Sequence, residues 1–186
     1  KTTFLTEKLK SDSKRLDNYQ KLAAVTFTRN ATEEIKQKLV DIPENVIIST
    51  IDSFLDKEII LPFLSQKYEV ETPLQFSFQK EHKFDNFNIG LNQIRQDGIF
   101  GTYDFPTSKQ GKNFKCEVAL DILKTIDSAS EYIKYKFNTL YIDEFQDCDQ
   151  SMNDLFLYLK NELGIYLFIV GDDKQSIYQW RGASPK

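Results

Sequence analysis

Along this chain, short apolar runs alternate with stretches in which apolar residues recur every three or four positions. Residues 22–28 read Leu-Ala-Ala-Val-Thr-Phe-Thr, a near-continuous apolar and β-branched run that predicts a strand buried on both faces of a parallel sheet. Behind it, Ala31, Ile35 and Leu39 recur every four residues and predict a helix over 31–39. Asn30 is its expected cap, and Glu33 and Glu34 are expected in its first turn, where they complement the helix dipole. The strand pattern returns at 46–50, 140–143 and 167–170. Between the last two, 151–163 predicts a helix with Met152, Leu155, Phe156 and Leu159 on one face and Gly164 as its C-cap. Residues 117–137 read as one helix, with Val118, Ile122, Ile126, Ala129 and Ile133 at spacings of four, four, three and four. Strands alternating with helices predict an α/β fold, a parallel sheet with helices on both faces.

One segment breaks that alternation. From residue 61 to about 116 the chain collects Pro62, Pro73, Pro106, Gly90, Gly98, Gly101, Gly111 and scattered Phe. It is expected to be a small inserted subdomain, dividing the main domain into 1–60 and 117–186. The first residues, Lys1, Thr2, Thr3, Phe4 and Leu5, read as the opening of a helix that has lost what preceded it.

Composition narrows the class. In 186 residues, 40% hydrophobic and 28% charged content with seven Gly and five Pro describes a soluble, globular chain rather than a disordered or fibrous one. A net charge of −4 and a pI near 5.2 argue against a broad basic face, so any nucleic acid would be held locally. Most of the fifteen Phe and nine Tyr belong to the core, leaving a few as stacking surfaces. Cys116, Cys148 and the single His82 have no metal-ligand spacing, and no run of eighteen apolar residues or signal peptide is visible. The expectation is a cytoplasmic protein without a membrane span.

Two strands end in candidate chemistry. The run Leu140, Tyr141, Ile142 leads into Asp143, Glu144, Phe145, Gln146 and Asp147. Side chains at the carboxyl end of a parallel strand meet the ligand crevice, so Asp143 can hold Mg²⁺ through water while Glu144 polarises an attacking water. A solvated acidic turn is the alternative reading of those two residues alone. The second strand leads from Ile169 and Val170 through Gly171, Asp172, Asp173 and Lys174 to Gln175, whose uncharged amide suits contact with a γ-phosphate. Tyr178, Trp180 and Arg181 follow, two aromatic faces and a guanidinium within four residues, suited to stacking unpaired bases and pairing a phosphate.

These two stretches resemble motifs II and III of superfamily 1 helicases of the UvrD/Rep/PcrA group. Residues 24–35, Ala-Val-Thr-Phe-Thr-Arg-Asn-Ala-Thr-Glu-Glu-Ile, are similar to that family's motif Ia, with Arg29-Asn30 where Asn-Lys is commoner. The resemblance implies that Phe27 packs on a DNA base and that Thr28 and Arg29 lie along the strand. Residues 48–54 are similar to the next DNA-side motif, with Asp52 in a position commonly held by His. A carboxylate beside a phosphate backbone is unfavourable, so Thr50 is the expected contact there and Phe54 is expected to pack. Lys1, Thr2 and Thr3 resemble the end of a Walker A loop, in which the Lys pairs β- and γ-phosphates and the Thr hydroxyl coordinates Mg²⁺. Its phosphate-cradling glycines are expected upstream of residue 1.

The resemblance implies a RecA-like P-loop NTPase domain. It implies an ATP- and Mg²⁺-dependent DNA helicase or single-strand translocase moving 3′ to 5′, working on single-stranded DNA and single-strand/duplex junctions in repair or recombination. Gln175 would sense the γ-phosphate and pass that state to Trp180. Two branches lie open within the class: a simple repair helicase, or an AddA/RecB-like subunit that works with a nuclease. A P-loop-like module that binds without hydrolysing is the alternative outside it. The resemblance places a second RecA-like domain, with the arginines that close the site, after residue 186. The 186 residues by themselves are therefore expected to show little or no ATPase.

Overall fold

The computed structural model of the chain describes residues 2–17, 19–70, 77–105 and 108–171. Helix α1 (Thr2–Ser13) leads to strand β1 (Lys21–Thr26), helix α2 (Arg29–Leu39) and strand β2 (Val46–Thr50). A helical run follows without interruption, as α3 (Ile51–Leu55), a π-helical turn (Asp56–Ile60) and α4 (Leu61–Tyr68). Next come β3 (Ser77–Phe84), α5 (Phe87–Asp97), β4 (Ile99–Phe105) and β5 (Ser108–Asn113). The chain then passes through α6 (Phe114–Thr125), α7 (Asp127–Lys136), β6 (Phe137–Ile142), a 3-10 turn (Phe145–Asp147), α8 (Gln150–Asn161) and β7 (Tyr166–Ile169).

The main sheet has the order β2-β1-β6-β7, and every pairing in it is parallel. This is the expected α/β architecture with helices on both faces. Alternation along the strands explains how both faces fill. Leu22, Ala24 and Tyr141 point to one side, where Leu5 and Leu9 of α1 and Ile35 and Leu39 of α2 cover them. Ala23, Val25, Leu140 and Ile142 point to the other, into a larger core with Phe54, Ile59, Ile122, Ile133 and Leu155. Register aligns the carboxyl ends of the strands: Thr26 stands beside Thr50, Val25 beside Ile142, and Ile142 beside Ile169. The chain leaves β1 towards β2 on one side and later adds β6 on the other. The crevice between the ends of β1 and β6 is thus the topological switch point, the usual place for a ligand in an open α/β sheet.

Residues 77–113 form a second sheet, with β3 parallel to β4 and β4 antiparallel to β5. It falls, in chain order, between β2 and β6 of the main sheet. Its apolar side shares the larger core through Phe84, Ile94, Phe100 and Phe114. Gly90 of α5 is required by this packing, because a Cβ there would lie 2.5 Å from a ring carbon of Phe114.

Four local expectations are corrected. The helix expected over 117–137 is two helices, broken at Ile126, whose backbone is extended at φ −113° and ψ 99°. Its last residue, Phe137, begins β6 instead. The break is stable because the carbonyls it frees find partners: Ile126 accepts from the N–H groups of Ala129 and Ser130, and Leu123 accepts from the hydroxyls of Ser130 and Tyr158. The cap of α2 is Thr28 rather than Asn30, since the Thr28 hydroxyl accepts from the N–H of Ala31 at 3.1 Å. Because α2 starts at Arg29, Glu33 and Glu34 lie beyond its first turn and pair instead with Lys36 at 2.8 Å and Lys38 at 2.6 Å. Gly164 is not the cap expected: α8 ends at Asn161 with Glu162 as its C-cap, and Gly164 takes its left-handed φ of 73° two residues further on, in the turn where the N–H of Ile165 reaches back to the carbonyl of Leu159 at 3.1 Å.

Candidate nucleotide and nucleic-acid site

The carboxyl end of β6 is stitched on both sides. The N–H of Asp143 donates to Val25 of β1 at 3.2 Å, the N–H of Val170 donates to Ile142 at 2.8 Å, and the N–H of Phe145 donates to Val170 at 3.0 Å. These bonds carry the sheet ladder past the strand ends and fix where Asp143 and Glu144 stand. Asp143 is only 3% exposed. Burial pushes its carboxyl above the ordinary range, the neighbouring Glu144 charge adds to that, and the Glu144 N–H, donating to its Oδ1 at 3.1 Å, works in the opposite direction. Glu144 itself has left-handed backbone angles, φ 57° and ψ 42°, rare for a residue with a side chain. Its carboxylate accepts from the amide of Gln146, and its carbonyl accepts from the N–H of Asp147 at 2.9 Å.

Gly171 closes the floor of this turn. A Cβ at that position would lie 2.9 Å from Oε1 of Gln146 and 3.4 Å from the backbone nitrogens of Phe145 and Gln146. The end of β7 therefore rests directly on the turn that follows Asp143.

From the other side of the crevice come α1 and α2. The charge of Glu34 on α2 raises the Asp143 carboxyl. Bonding and charge from Lys38 hold the Glu34 carboxyl below the ordinary range, and Thr2 at the start of α1 contributes to lowering it. By its spacing in the sequence Glu34 is only a helix-dipole partner. No spacing rule within one helix points to an influence on a neighbouring strand.

Thr2 and Asp143 are compatible with Mg²⁺. Among the described residues no group of three His, Cys, Asp or Glu side chains converges as an all-protein metal cage. Mg²⁺ of the nucleotide-bound kind needs none, since one or two protein oxygens suffice when phosphates and water complete the octahedron. Asp143 and Thr2 are the oxygens that would hold it.

On the expected nucleic-acid side, Phe27 is half-buried, with part of its ring against the larger core. Thr28 and Arg29 are exposed at the start of α2. The Thr50 hydroxyl caps α3, accepting from the N–H of Ser53 at 3.3 Å. Phe54 packs as expected, edge to face on Phe137 with 5.2 Å between ring centroids. Four of these residues, Phe27, Thr28, Arg29 and Thr50, stand at the carboxyl ends of the adjacent strands β1 and β2. Lys1, Gln175, Tyr178, Trp180 and Arg181 lie outside the described residues.

Comparison with known proteins bears on this arrangement. Residues 115–186 match the UvrD/REP helicase N-terminal domain, a span that holds the Asp143-Glu144 turn and everything after it. Over those residues the chain is similar to the UvrD/REP helicase N-terminal domain family. Over 187 aligned positions it is 43% identical to Gabija protein GajB of Bacillus cereus, covering all of this chain and 37% of that protein. It is 30% identical to an ATP-dependent helicase/nuclease subunit of Clostridium kluyveri, over 85% of this chain and 12% of the relative. It is 28% identical to a probable DNA helicase II homolog of Mycoplasma genitalium, over 97% of this chain and 32% of the relative. The chain spans little more than a third, or less, of the length of these curated relatives. Of the features at the crevice, the UvrD/REP match takes in the acidic turn after β6, while α1 and the Thr-Phe-Thr turn after β1 lie outside its residues. No helix among the described residues is long and apolar enough to cross a membrane.

Proposed function

We propose that the protein carrying this chain is an ATP-dependent DNA helicase or single-strand DNA translocase, and that this chain holds one wall of its ATP site. The observation that carries the reading is the buried Asp143 held at the switch point between β1 and β6, with Glu144 next in the turn. In this reading Lys1 pairs the phosphates, Thr2 and Asp143 hold Mg²⁺, Glu144 polarises the attacking water and Gln175 reports the γ-phosphate. DNA runs over Phe27, Thr28, Arg29 and Thr50 and meets Tyr178, Trp180 and Arg181. We assign it 3′ to 5′ movement on single strands and single-strand/duplex junctions, a role in repair or recombination, and a cytoplasmic setting. The inserted segment from 61 to 116 is proposed to lie on the DNA side.

Replacing Glu144 by Gln in the full-length protein tests the core of this. ATP binding is expected to persist, while DNA-stimulated turnover falls at least about a hundredfold, the scale on which a general base acts. Undiminished hydrolysis would refute the role of Glu144. Complete absence of ATPase in the unmodified protein would favour a binding module.

A second reading within the class is a protein that works beside a nuclease. Similarity to the helicase/nuclease relative of Clostridium kluyveri, and to the RecBCD enzyme subunit RecB of Buchnera aphidicola at 27% identity, supports it. DNA degradation that depends on ATP, in the full-length protein alone or with a co-purifying partner, separates this reading from a simple helicase.

A further inference from the structure

We infer that Gln146 is a positioning residue, a clamp between the carboxylate of Glu144 and the chain that leaves β7 at Gly171. The inference rests on the ATPase reading above and adds to it a route by which the end of β7 reaches the water-activating acid.

The geometry begins with an unfavourable conformation. Left-handed angles are unfavourable at a residue with a side chain, and Glu144 adopts them. Four main-chain contacts impose the conformation: Phe145 to Val170, Val170 to Ile142, Asp147 to Glu144, and the Glu144 N–H to the Asp143 carboxylate. The backbone of Glu144 is therefore fixed by its neighbours, while its side chain could still turn about its own bonds. Gln146 limits that freedom, because its Nε2 donates to Oε2 of Glu144.

The same amide has a second end. Oε1 of Gln146 is the atom nearest to where a Cβ of residue 171 would stand, at 2.9 Å. A planar amide moves as one piece, so a displacement of Gly171 against Oε1 also moves Nε2, and with it the Glu144 carboxylate. Glycine at 171 allows the close approach. Any side chain there must push the amide away or be pushed by it. Gln175, the residue read as the γ-phosphate reporter, lies four positions further along the same chain. Gly171 is thus the point at which a change of state in that segment would bear on Glu144.

A residue that only fills space would lower stability and leave the turnover of folded enzyme alone. A clamp on the water-activating acid acts on turnover. Misplacing a reacting group by about 1 Å costs on the order of a hundredfold in rate. The test uses the full-length protein, ATP, Mg²⁺ and a single-stranded oligonucleotide. Gln146→Met keeps the length of the side chain and removes the amide, and Gly171→Ala adds one methyl group. Each is expected to lower kcat about ten- to a hundredfold with KM for ATP changed less than about twofold, the pattern of an interaction made in the transition state. The double variant is expected to be little worse than the poorer single one, because both changes break one linkage.

Turnover by Gln146→Met within about twofold of the unmodified protein, or losses that multiply in the double variant, would overturn the clamp. Glu144→Gln run in parallel separates the two levels. If it abolishes turnover while Gln146→Met does not, only the clamp is lost. If it leaves turnover intact, the ATPase reading falls and takes the clamp with it.

Discussion

At Tyr141 a single residue links the nucleotide-side helix to the strand that carries Asp143. Its ring is fully buried in β6, and its hydroxyl donates to Asp12 near the end of α1 at 2.5 Å. Lys8 donates to the other oxygen of the same carboxylate at 2.8 Å. Burial works to raise the Asp12 carboxyl, but the bonds from Lys8 and Tyr141 outweigh it and hold the group below its ordinary value of 3.8. A carboxylate depressed in the folded state contributes stability that is complete above its unfolded value and is lost as pH falls through the folded one. Tyr141→Phe keeps the ring and removes one bond to a charged group, and is expected to cost about 1–2 kcal/mol near neutral pH. That cost should shrink as the solution is acidified below about pH 4, because protonation of Asp12 ends the stronger form of the interaction in both proteins. Urea unfolding of the two proteins across pH 3 to 7 checks it, and a penalty independent of pH would assign the effect to packing instead. The charge of Glu34 acting on Asp143 belongs to the same scale. Neither it nor the Gln146 amide bond forms a pattern along the chain, so the sequence named Glu34 only as a helix-dipole partner and Gln146 only as part of the acidic run.

Between α6 and α7 the chain turns where no glycine or proline marks a turn, and the turn depends on one carbonyl. Leu123 is buried, and its oxygen receives both the Ser130 hydroxyl and the Tyr158 hydroxyl, the latter at 3.2 Å from α8. Either donor alone satisfies it. Ser130→Ala and Tyr158→Phe are each expected to cost about 1 kcal/mol, whereas the double variant leaves a buried carbonyl unpaired and costs a further 1–2 kcal/mol or so beyond their sum. A double-mutant cycle in urea measures that excess, and strict additivity would show that the helix break does not depend on the shared carbonyl. This element also shows what could be read in advance. Apolar residues at 118, 122, 126, 129 and 133 keep helical spacing straight through the break, because both helices bury the same side against the same core. Periodicity reports the buried face and is blind to a single extended residue within it. The strands of the main sheet were legible, since burial on both faces leaves a nearly continuous apolar run in β1 and β6. The second sheet was not: β3 runs Ser-Phe-Gln-Lys-Glu-His-Lys-Phe, in which only its two Phe are apolar.

On the scale of the whole chain, the question is what joins that second sheet to the main one. The larger core runs through both, and two ion pairs from the π-helical turn add to it. Asp56 meets Lys115, where the second sheet ends and α6 begins, and Glu58 meets Lys136, one residue before β6, each at 2.5 Å. The wider turn has a backbone signature, the N–H of Leu61 reaching the carbonyl of Asp56 five residues back. Lys115 is nearly buried, with 7% of its side chain exposed against 32% for Asp56. Burial raises the Asp56 carboxyl above its ordinary value, and the bond and charge of Lys115 oppose that rise. A raised carboxyl favours folding below its unfolded value, and that advantage is lost as pH climbs through the folded one. Removing the lysine should therefore raise Asp56 further and widen the range over which rising pH destabilises the chain. Lys115→Met is expected to cost about 2 kcal/mol at neutral pH, intermediate between a buried and an exposed pair because Asp56 keeps some contact with water. Adding Asp56→Asn should return most of that loss, since the partner then carries no charge to strand. Both sheets should still unfold in a single thermal transition, as expected of one continuous core. A separate early transition confined to Lys115→Met would instead make this pair the hinge between two independently folding units.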